Sequence, residues 1–231
     1  MTSRTLSYTG HKWINPLWVV VPASVIIFAL GWSIVGGFTG ALLGGIGGLV
    51  WALLLGYIVK LINRMEKWKG WLATAVLLAS GAILFLQLGG GVFEYMLLTK
   101  AIETSPEWIT TITSGPLAEQ VILYFIIFNS LLEIILVPLA LLLNWRTPQR
   151  RVLVLVAGLI FYTIRIWTYL TFAPEYFAFG DMALSQQLVD QLKTRMAIDS
   201  IRTLMMVGEA VIFFCAALVP TSVALADSEH R

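Results

Sequence analysis

The chain has 231 residues, 58% of them hydrophobic and only 12% charged, with a net charge of +2 and a mean hydropathy of +0.85. A soluble domain carries about 25% charged residues, and a disordered one is more polar still, so both classes are excluded. The small net charge gives no basis for a nucleic-acid partner, and an all-α, polytopic transmembrane helix bundle surrounded by membrane lipids remains.

A spanning helix needs roughly 20 apolar residues. Six segments meet that length, at 17–35, 38–62, 71–98, 119–143, 152–172 and 200–226. They form one membrane domain over residues 1–231, with a glycine-rich helical hairpin at 17–62 and a four-helix bundle at 71–226. The first apolar run begins late, and no small-residue cleavage pattern closes it, so no secretory leader is expected.

In chain order, Asn15-Pro16 opens the first span. Gly36, Gly40, Gly44 and Gly48 follow at a spacing of four, which stacks them on one side of the second span. Small residues at that spacing let two backbones approach closely in lipid. The short connection at Gly36-Gly37 makes the first two spans antiparallel neighbours, so the face is expected to pack on the first span. The alternative is a homo-oligomer or a partner subunit docked through the same face. Pro138 in the fourth span and Pro220 in the sixth are expected to kink their helices or free a carbonyl. Gly89, Gly90 and Gly91 are expected to loosen the third span.

Lysines and arginines concentrate in cytoplasmic loops. Ten fall on the side that holds both termini, three on the other, and Arg165 and Arg202 lie within spans. Both termini are therefore expected to be cytoplasmic, in a bacterial inner membrane. The last outer loop should hold a short amphipathic helix, because Leu184, Leu188, Val189, Leu192 and Met196 recur at helical spacing. It either packs on the bundle or gates an entrance.

Function is to be sought among the polar residues at membrane depth, which are costly there and usually face inward with a partner. These are Gln87 and Glu94, Asn129 and Glu133, Arg165, and Arg202 and Glu209. At 1.5 Å per residue they lie in the outer half of spans three to six, with Glu133 deepest at about 20 Å. Each helix carries one polar stripe, and the economical arrangement turns all stripes inward. Three glutamates then meet two arginines, which leaves one carboxylate, expected to be Glu133, as a base or proton carrier. Tyr124 and Tyr162 are among the aromatics at the same level, as a small-molecule pocket requires. Phe93, Tyr95, Phe128, Trp167 and Tyr169 share that level. Glu94, Glu133 and Glu209 are the candidate catalytic groups. Arg165, Arg202, Asn129, Gln87, Tyr124, Tyr162 and Asp199 are the candidate ligand-binding ones. His11 and His230 lie near the chain ends, outside the apolar runs, so no haem or histidine-ligated metal is expected in the membrane. The nearby arginines oppose a cation among the carboxylates, and no cofactor is called for.

The run from Gly89 to Glu94, the stretch Thr171-Phe172-Ala173-Pro174, and Asp199 three residues before Arg202 make spans three to six resemble the anthrone-oxygenase-like family of small four-helix membrane proteins. The family usually has asparagine where this chain has Asp199, and the first two spans are additional. The resemblance implies a four-helix bundle with a polar outer pocket around Arg202 and, for some members, cofactor-independent oxygenation of a phenolic polyketide. The residues themselves leave three functions open. One is a pocket for a small lipophilic or amphipathic molecule, with oxygenase-like chemistry. Another is a small-molecule or proton-coupled transporter, although no internal repeat supports it. The third is a structural subunit of a larger membrane complex.

Overall fold

The computed structural model describes residues 15–114, 116–180 and 182–220. The end of the expected sixth span at residue 226, the basic residues Arg4, Lys12 and Arg231, and both histidines lie outside them. The described residues are helical, with no strand among them. Five helices are long and apolar enough to cross a membrane: Leu17–Ile62, Lys67–Thr104, Trp108–Asn144, Pro148–Phe179 and Gln186–Leu218.

The first of these, α1 (Leu17–Ile62), is broken in its middle, where Gly37 sits at φ 54°, ψ −138°. That conformation is open to glycine and strained for other residues. The chain folds back there. A Cβ added at Gly40 would strike the Trp32 carbonyl, one at Gly44 the Phe28 carbonyl, and one at Gly48 the Ser24 carbonyl. Partner numbers falling as glycine numbers rise are the mark of an antiparallel hairpin. The glycine face is therefore filled within the chain, while Gly36, at the turn, meets nothing.

The remaining elements are α2 (Glu66–Thr104), α3 (Trp108–Thr113), α4 (Pro116–Ser130), α5 (Val137–Asn144), α6 (Pro148–Trp167), α7 (Ala173–Gly180) and α8 (Gln186–Leu218). A π-helical turn, Leu131–Leu136, joins α4 to α5, and a second, Thr168–Phe172, joins α6 to α7. α8 packs along α2 and α6, and α1 lies mainly on α5. The main core is built from Leu77, Leu84, Leu132, Val137, Phe161 and Phe213 with their neighbours. The outside is apolar too, with Phe38, Leu159, Leu204 and Leu218 all well exposed, as lipid contact requires.

Several expectations are corrected. The amphipathic segment is not a separate loop helix. It forms the first half of α8, with Ser185 as N-cap accepting from the Leu188 amide at 3.3 Å. Leu188 and Leu192 are buried with Leu98, Ile109, Ile112 and Phe179 in a second apolar cluster. This cluster ties the ends of α2, α3, α7 and α8 into a crown. Pro220 does not kink a helix, because α8 ends at Leu218 and Val219 is already extended at ψ 125°; the residue before a proline is disfavoured in the α region. Gly89–Gly91 do not interrupt α2. Gly90 instead makes room for the Tyr124 ring.

Pro138 does free a carbonyl. It has no N–H for the Ile134 oxygen four residues earlier, and the Trp51 indole donates to that oxygen at 2.6 Å. This bond fastens the hairpin to the π turn. At the opposite end from the crown, Arg150 is buried and forms a second fastening. Its Nε donates to the Val219 carbonyl at 2.7 Å and its Nη2 to the Ala217 carbonyl at 3.3 Å. Its Nη1 reaches Thr74 Oγ1 at 3.1 Å and Asn144 Oδ1 at 3.2 Å.

Candidate functional site

One cavity of about 630 Å³ runs between the crown and the middle of the bundle. Gln87, Glu94, Asn129, Glu133, Arg165, Asp199, Arg202 and Glu209 all line it. The stripes expected from spacing therefore converge. Its walls are otherwise apolar, and α1 contributes Ile27, Phe28, Gly31 and Trp32 to them. The hairpin is thus part of the site and not an addition to a four-helix unit.

The polar groups fall into two tiers. In the deeper tier Arg165 Nε donates to Glu133 Oε2 at 2.8 Å, with both side chains buried. Arg165 Nη2 donates to the Tyr169 hydroxyl at 2.8 Å, and that hydroxyl lies 2.9 and 2.8 Å from the two Glu133 oxygens, to which it donates. The arginine also lies over the Tyr169 ring, 4.6 Å from its centroid. Gln87 Nε2 donates to Asn129 Oδ1 at 2.7 Å alongside.

Glu133 and Tyr169 each stand on a π turn. Such a turn inserts one extra residue into the helix and re-aims the side chains around it, and π turns often mark functional sites. Gly31 completes this tier, because its missing Cβ would touch the Tyr169 ring and hydroxyl at 3.4 Å.

Glu133 is therefore not the carboxylate without an arginine. Depth along a helix does not give direction around it, and the π turn points Glu133 at Arg165. The carboxylate left over in this tier is Glu209. It is fully buried, and neither of its oxygens has a hydrogen-bond partner among the described residues. The Tyr162 hydroxyl is buried and unpartnered as well.

The tier nearer the crown holds Arg195, Asp199, Arg202 and Glu94. Arg202 Nη2 lies 2.7 Å from Asp199 Oδ1, one turn earlier. The two form an ion pair. Arg202 Nη1 donates to Thr168 Oγ1 at 3.3 Å. Arg195 Nη2 donates to the Phe172 carbonyl at 2.9 Å, and its Nη1 to Glu175 at 3.4 Å. Both guanidiniums lie on the Phe172 ring, at 4.8 and 4.3 Å from its centroid. Glu94 is within electrostatic reach of both arginines and of Asp199. It is partly exposed and is given no hydrogen bond by any described residue.

Not every expected residue belongs to the cavity wall. Tyr124 donates its hydroxyl to the Leu86 carbonyl and, like Tyr162, does not line the cavity. Phe93, Phe128 and Trp167 are not part of it either, whereas Tyr95 and Tyr169 are. Sequence reasoning did not single out Arg195 or Arg150, which entered only the count of basic residues on each side. Their burial signal was weak: each is an arginine beside a strongly apolar helix. Among the described residues no group of three or more metal-ligating side chains comes together.

No family model, curated protein or solved structure matches the chain. The functional reading rests on this geometry.

Proposed function

We propose that the chain is a six-span membrane protein that binds a small lipophilic or amphipathic molecule in the cavity between its two polar tiers. The backbone reversal at Gly37 and the antiparallel glycine contacts support counting α1 as two spans. The ten-to-three distribution of basic residues supports placing both termini on the cytoplasmic side of an inner membrane. The observation that carries the binding reading is the cavity itself. At about 630 Å³ it falls in the range of about 300–1,000 Å³ typical of ligand sites, and like them it has apolar walls with a few convergent polar groups.

The crown tier suits the polar head of such a molecule. Arg202 and Arg195 favour an oxyanion, and Glu94 is the carboxylate there that, unlike Asp199, holds no ion pair with an arginine. This arrangement also supports the oxygenase-like reading suggested by the resemblance around Asp199 and Arg202. On that reading Glu94 takes a proton from an acidic C–H of an electron-rich ring. Dioxygen then adds to the carbanion, and loss of water leaves a carbonyl, so the CH2 carbon is oxidised and dioxygen is reduced.

The test is native mass spectrometry of the protein extracted in mild detergent, with and without Arg202→Ala. The reading expects a co-purifying small molecule that the variant loses while still folding. Unchanged retention would remove Arg202 from the ligand site, and loss of folding with no ligand in the parent would assign it to holding the bundle together. Oxygen uptake in detergent without a gradient distinguishes an enzyme from a carrier, which would show flux in liposomes instead.

A further inference from the structure

α4 is packed differently from the other long segments. Its interfaces are with α2, α3 and the first π turn, and among the described residues it forms no packed interface with α1, α6, α7 or α8. From residue 119 to the end of α4 no described residue is fully buried. Its inward side, with Ile122, Phe125 and Ile126, lines the cavity instead of entering the core. Trp32 and Val35 of the hairpin and Phe177 of α7 line the same cavity. Ile126, Trp32, Val35 and Phe177 are 55%, 58%, 90% and 52% exposed.

The cavity therefore has an apolar rim open to the outside of the bundle. α3 and α7 pack on each other above it, and α1 packs on α5 below it. The rim lies on apolar helices of spanning length, so lipid is what surrounds it. A water-facing mouth would carry polar residues at its edge, and these four side chains are all hydrophobic.

We propose that the cavity is a lateral portal. Its occupant is a membrane-dissolved molecule that enters from the lipid phase between α4 and the α1 hairpin, apolar part first, with its polar head at the Arg202 tier. This rests on the ligand-binding reading and adds the route and the physical class of the ligand. The first π turn makes the gap, because the chain enters it from an α4 that does not pack on α1 and leaves it as α5, which does.

The probe is a phosphatidylcholine carrying a diazirine on its acyl chain, in vesicles with unlabelled phosphatidylcholine and the full chain. After irradiation, adducts are mapped by peptide mass spectrometry. The portal predicts adducts on the inward residues Phe28, Ile122 and Phe125 as well as on the lipid-facing Leu159 and Leu204. In the double variant Val35→Trp and Ile126→Trp, the inward adducts should fall at least five-fold while those on Leu159 and Leu204 persist. Adducts confined to the lipid-facing residues of the parent chain would overturn the portal. So would inward adducts that the double variant leaves unchanged. If the parent shows inward labelling but retains no ligand in native mass spectrometry, the portal stands and the ligand-binding reading falls. If it retains a ligand without inward labelling, the portal falls and ligand binding stands.

Discussion

The Tyr169 hydroxyl bridges the buried pair Glu133 and Arg165, accepting from the guanidinium and donating to the carboxylate, so that two π turns on different helices are joined by one triad. Removing one member of a buried pair leaves the other charge uncompensated, at a cost of about 3–5 kcal/mol. Glu133→Ala should therefore lower the thermal midpoint in detergent sharply. Tyr169→Phe removes a hydrogen bond to a charged group and should cost about 1.5–3 kcal/mol. The double replacement Glu133→Leu with Arg165→Met should recover most of the loss, because no orphan charge is left. A double variant as unstable as Glu133→Ala would show that the triad is not the source of the effect.

The hairpin gives a graded set of substitutions. Gly44→Ala drives a methyl group into the Phe28 carbonyl, while Gly36→Ala meets open space. The first should abolish folding or reduce the yield of monodisperse protein severely, and the second should be near neutral. Gly37→Ala meets no atom but has to adopt φ 54°, a strain of about 1–3 kcal/mol. Size-exclusion profiles and thermal midpoints of the three proteins should follow that order. Equal behaviour of Gly36→Ala and Gly44→Ala would contradict the antiparallel packing.

Trp51→Phe keeps an aromatic ring, though a smaller one, and deletes the donor to Ile134. The carbonyl cannot turn to Pro138 in its place, so about 1–3 kcal/mol of stability should be lost. Adding Pro138→Ala to that background restores a backbone N–H, and partial rescue measured by thermal unfolding is the expected outcome. Without rescue, the Trp51 effect would be one of ring packing alone.

Arg150→Ala strips donors from the Ala217 and Val219 carbonyls and from Asn144 and Thr74. Loss of a buried charged donor of this kind should cost at least about 1–3 kcal/mol. The neighbouring Arg146 is exposed, so Arg146→Ala should leave the midpoint unchanged. Hydrogen exchange should show the loss at the last turn of α8. Protection there as strong as in the parent chain would remove Arg150 from the role of a cap.

Periodicity carried the broad architecture. Glu94, Gln87, Asn129, Glu133, Arg202 and Glu209 were placed in one outer pocket from their spacing, and one cavity does collect them. The hairpin followed from Gly36 to Gly48, because a column of small residues lets two backbones touch. What spacing could not supply was direction around each helix. Glu133 was expected to be the carboxylate left over and Glu209 a paired one, and the π turns reverse those roles. A π turn has no sequence signature as plain as a proline, and Tyr169, whose hydroxyl joins the site, stands on one. Helix continuity was equally hidden. The charged residues 190–195 read as a loop helix, whereas burial of Leu188 and Leu192 under the crown extends α8 across them. Arg150 and Arg195 look like surface charge until the carbonyls they bind are seen.

Arg150 also constrains the order in which the bundle can close. Its Nε partner, Val219, lies 69 residues further along the chain. When α6 is made, its N-terminal arginine can find Asn144 and Thr74 but not the carbonyls that complete its set. Ribosomal synthesis delivers those only after α7 and α8 have passed. Until then the end of the bundle away from the crown stays unfastened, so α6 and α2 remain free to admit α8 between them. The clasp that fixes the helices is thus the last to shut, and a chain shortened before Val219 would be left holding it open.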